Sequence, residues 1–166
     1  MFISTLLAAA LLGSATTDSG CAQTASMKTV FPAARTVGWT TRSPVERVGR
    51  REPKWPGWCG NWTAKYTGLP GRPSAFAEVR VSLYKTPQQA LVALAEPAFG
   101  PVQMLANGVR TRTLVDHYSG MIASVARNVF ISSGGCCGPP PSYDGSAAVR
   151  EQMRIHRAIH ARVLKP

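Results

Sequence analysis

Acidic residues are scarce in this chain: eight Asp plus Glu among 166 residues, against nineteen Lys plus Arg, for a formal charge of +11. Carboxylates so few and scattered give no paired-carboxylate site for general acid–base work. Long apolar runs are lacking too. Beyond the first dozen positions no stretch of about 18 apolar residues occurs, which excludes a polytopic membrane protein. Charged residues make only 16% of the chain and apolar residues 45%, which excludes a highly charged disordered tail and a coiled coil. Catalytic signatures are missing: there is no G-x-S-x-G, no H-E-x-x-H, no G-x-x-x-x-G-K-[ST] and no G-x-G-x-x-G opening a helix. No catalytic residue can be named on this basis, and no cofactor is expected.

What is present begins at the amino terminus. Phe2 to Leu12 is an apolar run, followed by Gly13, Ser14 and Ala15. That is the length and small-residue pattern of a secretory signal peptide. The expectation is export, with residues 1–20 as the leader and cleavage either after Ala15 or before Cys21. The second route would make Cys21 a lipid-carrying residue. Residues 21–54 show no sustained period and read as a flexible basic arm, and 55–166 as a single domain.

Four cysteines, Cys21, Cys59, Cys136 and Cys137, suit an oxidising compartment. Gly-Gly-Cys-Cys-Gly lacks the C-x-x-C spacing that places two sulfurs on one ion. A disulfide from Cys59 to Cys136 or Cys137 is therefore expected, pinning the loop that carries the neighbouring tryptophans.

Alternation over Ala77–Tyr84 predicts a half-buried strand, and residues 61–67 a shorter one. Thr86-Pro87-Gln88-Gln89 then predicts a helix start: Thr86 as cap, Pro87 at the first position, Gln89 completing the capping box. Val109–Val115 reads as a second strand with a basic face. Met121–Ser132 is either one long strand or a hairpin broken at Arg127-Asn128. Gly134–Gly145 reads as a loop, and Ala147 to about Val163 as the last helix. The order strand-helix-strand-strand-helix predicts an α+β fold, a mainly antiparallel sheet with two helices packed on one face.

The run of a helix entered through YKTPQQA, a basic strand, VARNVFISS and a C-terminal helix resembles small uncharacterised secreted and lipoprotein-like proteins of high-GC Gram-positive bacteria. It is also distantly similar to extracellular sensor-type domains of bacterial receptor kinases. The resemblance covers residues 58–165 and implies an extracytoplasmic domain; it transfers no functional residue.

Three features could carry function. Stepping about 100° per residue along the last helix places His156 and His160 in the middle of its apolar arc. Two histidines at i and i+4 could ligate a metal or exchange protons, although no third ligand is placed; Asp116, His117 and Asp144 are the unassigned candidates. Packing is the plainer role. Trp55, Trp58 and Trp62 lie within eight residues and could stack on a ligand, or cover the sheet. The basic charge favours anionic partners, either a cell-envelope polymer or lipid headgroups. Export and the absence of a nucleic-acid-binding module argue against nucleic acid. Membrane contact is expected only through a lipid anchor or the cleaved leader. The expectation is a non-catalytic binding or sensor-like domain at the cell envelope. The alternative is a metal-dependent hydrolase using His156 and His160.

Overall fold

A computed structural model describes Cys21 and residues 26–49, 56–95, 103–104, 110–115, 119–136 and 145–165. Residues 1–20, Trp55, Asp116, His117, Cys137, the triple proline and Asp144 lie outside the described residues.

A 3-10 turn (Ala34–Val37) precedes two short strands, β1 (Thr41–Arg42) and β2 (Glu46–Val48). Two long strands follow, β3 (Trp58–Leu69) and β4 (Arg72–Tyr84), then helix α1 (Pro87–Leu94). The second half holds β5 (Gln103–Met104), β6 (Arg110–Val115), β7 (Ser119–Ala126), β8 (Val129–Cys136) and helix α2 (Gly145–Val163). All eight strands join one sheet in the order β1-β3-β4-β8-β7-β6-β5, with β2 also paired to β3, and every pairing is antiparallel. The expected α+β class and antiparallel sheet are present.

Local chemistry explains the element boundaries. Thr86 Oγ1 accepts from the Gln89 backbone N–H, Gln89 Oε1 accepts from the Thr86 N–H, and Pro87 needs no partner at the first turn. The 121–132 stretch is a hairpin: Ala126 pairs with Val129 across Arg127-Asn128. Arg127 takes φ 52°, a left-handed conformation. Its guanidinium donates to the Leu164 carbonyl just beyond the end of α2. Gly134 to Cys136 extend β8 rather than opening a loop, because β4 and β7 pair with them on both sides.

The placement of the helices differs from expectation. Ile155 and Ile159 of α2 pack with Ala77, Val79, Val81, Leu83, Val129 and Ile131 on one face of the sheet. Ala90, Ala93 and Leu94 of α1 pack with Tyr84, Ala123 and Val125, whose side chains emerge on the other face. The two helices therefore cover opposite faces. Alternation in β7 and β8 presents apolar residues to both sides, so each face has something to bury.

The segment read as a flexible arm is also part of the domain from Met27 onward. Met27, Val30, Phe31, Ala34, Val37 and Trp39 are buried in the same core as Trp62, Tyr66, Ile155 and Ile159. Turns satisfy some carbonyls of this irregular segment, such as those of Ala34 and Arg35, and side chains from the sheet and α2 satisfy those between Thr29 and Pro32. Tyr66 Oη donates to Pro32 O at 2.9 Å, Arg42 to Phe31 O at 3.0 Å, and Arg162 to the Thr29 and Val30 carbonyls. Burial pushes the Tyr66 phenol up to about 12, with Arg42 partly opposing, so it remains a donor.

The disulfide is Cys21–Cys59, not the expected bridge from Cys59 to Cys136 or Cys137. Cys59 lies at the start of β3, beside the edge that the N-terminal segment covers. Cys136 ends β8, two strands away across β4. A sulfur held in this bridge has no valence left for a thioether lipid, so the bridge and lipidation of Cys21 exclude each other.

Candidate functional site

Between α2 and the sheet lies a chain of polar side chains in an otherwise apolar layer. Ser124 on β7 and Ser133 on β8 point toward the helix, because each shares its strand face with Ile122 or Ile131. Gln152, His156 and His160 recur at i, i+4 and i+8 and meet them. His156 and His160 have no exposed surface, and Ser124, Ser133 and Gln152 are buried as well. Gly120 and Gly135, paired across β7 and β8, make room at one end. A Cβ on Gly135 would lie 3.0 Å from Gln152 Nε2 and collide with the Phe76 carbonyl, so this position requires glycine.

With His156 neutral, the orientation of the Gln152 amide sets the direction of every hydrogen bond. Gln152 Nε2 donates to Gly120 O at 2.8 Å, which turns its Oε1 toward Ser133. A carbonyl oxygen only accepts, so the Ser133 hydroxyl donates to it at 2.7 Å. With its single proton used, Ser133 Oγ accepts from His156 Nε2–H at 2.8 Å. Neutral His156 then has a bare Nδ1, which accepts the Ser124 hydroxyl proton at 2.7 Å. Ser124 Oγ in turn accepts from His160 Nε2–H at 2.8 Å. The relay ends at His160 Nδ1, buried and without a partner among the described residues. With both rings neutral, every one of these bonds has a donor and an acceptor. A protonated His156 would aim a second N–H at Ser124 and turn the serine's proton toward His160 Nε2, reversing the last bond of the relay.

Electrostatics agrees. Burial, with a smaller contribution from neighbouring His160, drives His156 down to about 3. Burial alone drives His160 to about 4. The rings meet edge to face with centroids 6.2 Å apart. Three of their four nitrogens are engaged by serine hydroxyls. No group of three or more His, Cys, Asp or Glu side chains suited to holding a metal occurs among the described residues. The geometry serves packing and polar satisfaction in a closed layer.

The relay predicts unequal costs for the two rings. His160 donates one bond and carries an orphaned acceptor, so His160→Leu should cost no more than about 1 kcal/mol. His156 bridges both serines, so His156→Leu should cost about 2–4 kcal/mol. Urea unfolding of both variants checks this; equal costs would contradict the relay.

Trp58 and Trp62, the two described members of the tryptophan cluster, do not form one platform. Trp62 is buried in the α2-side core, with the Arg47 guanidinium 5.6 Å from its ring centroid. Trp58 is half-buried on the α1 side and donates Nε1–H to Asn61 Oδ1 at 2.7 Å. Trp39, which nothing in its local sequence marked, is the aromatic that meets Tyr66 edge-on. The serines and Gln152 were also missed. Their signal was present: a polar residue at the inward phase of an apolar strand, facing a helix with polar residues in its apolar arc.

Comparison with protein-family models, curated proteins and solved structures finds no match to this chain.

Proposed function

We propose that this chain is a non-catalytic extracytoplasmic domain that binds at the cell envelope. The observation that carries the reading is the sealing of His156 and His160. The residues best suited to acid–base or metal chemistry are closed off, with three of their four ring nitrogens held by serine hydroxyls, while the arginines of α2 face solvent. Outward-facing chemistry is then cationic binding. The Cys21–Cys59 disulfide and the leader-like start support an oxidising compartment outside the cytoplasm. Because Cys21 is taken up by the bridge, free secretion with cleavage after Ala15 is favoured over a lipid anchor.

Intact-mass measurement of the protein from its native host tests this. The expected mass lacks residues 1–15, is two hydrogens light for the Cys21–Cys59 bridge, and carries no lipid. A full-length chain retaining Met1 would contradict export. A diacylglycerol increment on Cys21 would contradict the bridge.

A further inference from the structure

The solvent-facing side of α2 carries Arg150, Arg154 and Arg157, spaced four and three residues apart and all exposed. Arg162 in the last turn and Lys165 just beyond the helix continue the series. From Arg150 to Lys165 the row spans about 22 Å at the helical rise. The N-terminal segment runs beside the helix and adds to it. The Arg154 guanidinium lies against Gly38, and Arg162 donates to the Thr29 and Val30 carbonyls. This contact brings the exposed Lys28 and Arg35 alongside the helix. Among the described residues, seven cations thus share this flank with one carboxylate, Glu151, which is 3.1 Å from Arg154.

We propose that this basic ridge binds a linear phosphate polymer outside the cell. The inference deepens the binding reading above and rests on it. Five of the seven cations are arginine, whose planar fork matches two phosphate oxygens at once. The charges form a narrow row along one helix, which suits a chain of anions laid lengthwise. A lipid surface is the poorer fit. The exposed large apolar side chains among the described residues, Val92 and Met121, lie on α1 and on the sheet face opposite α2, so none flanks the ridge.

Equilibrium binding of the purified, disulfide-intact chain to long-chain inorganic polyphosphate tests the proposal independently of export. Affinity should fall with salt, with a log–log slope of about −3.5 to −5 for five to seven contacts at about 0.7 each. The triple variant Arg150→Gln/Arg154→Gln/Arg157→Gln changes only exposed side chains. It should weaken binding at least tenfold at about 0.1 M salt and reduce the slope by about 2. Lys65→Gln/Arg80→Gln, on the far side of the sheet, should leave affinity within about twofold. Unchanged binding by the triple variant, or an equal loss in the far-side variant, would overturn the assignment. So would binding to phosphatidylglycerol vesicles tighter than to polyphosphate and equally dependent on the three arginines. Failure of these measurements would leave the export result standing, and the reverse holds too.

Discussion

Acidifying the purified chain from pH 7 to pH 5 is expected to cost about 4 kcal/mol of stability, close to 2 kcal/mol from each buried histidine. Both rings have folded-state pKa values lowered to about 3 and about 4, below the 6.5 of an exposed imidazole. Between about pH 4 and 6.5 the unfolded chain therefore binds protons that the folded chain refuses. Stability rises with pH through that window, is fully present above about 6.5, and is lost as pH falls toward the folded values. Near neutrality the loss should be slight; by pH 5 it is a large share of the roughly 5–15 kcal/mol available to a domain. Urea unfolding at pH 7, 6 and 5 measures it. In His160→Leu the dependence should halve, since one of the two proton acceptors is gone. A wild-type stability flat across this range would show that the rings are solvated or already charged.

Breaking the Cys21–Cys59 bridge is the second large effect expected. The cysteines are 38 residues apart, and the chain-entropy relation for a loop of that size gives about 4 kcal/mol. The segment this bridge retains is not a tether: Met27, Val30, Phe31 and Trp39 lie in the main core. Cys21→Ser should therefore lower the melting temperature and also raise proteolysis of residues 26–49, where carbonyls depend on Arg42, Tyr66 and Arg162. Cys59→Ser should behave alike, with the double variant no worse than either single one. A Cys21→Ser protein as stable as the wild type would mean that Cys59 is held by another partner.

The elements with strong local signals were legible in the sequence. The capping box at Thr86, the alternation of β4, the basic strand β6 and the amphipathic α2 each rest on chemistry within a few residues. The assignment of faces was not. Whether Ala90 and Leu94 pack beside Ile155 or behind the sheet depends on which phase of β7 and β8 each helix meets, and both phases are apolar. The N-terminal segment was misread because Pro32 interrupts its apolar spacing, so Met27, Val30, Phe31, Ala34 and Val37 never complete a helix and instead line the core as turns. The disulfide partner depended on that same segment and could not be seen without it. His156 and His160 were visible as inward-facing; their satisfaction by Ser124 and Ser133 was not, because strand register decides which serines they meet.

The central claim is that α2 closes over two neutral histidines linked in one direction through Ser124 and Ser133. Imidazole nitrogen chemical shifts report this most directly. The account predicts that His156 and His160 both carry their proton on Nε2, leave Nδ1 bare, and hold these shifts from pH 8 to pH 5 while the protein remains folded. A titration of either ring near pH 6.5, or a shift of either nitrogen on adding stoichiometric zinc, would contradict it.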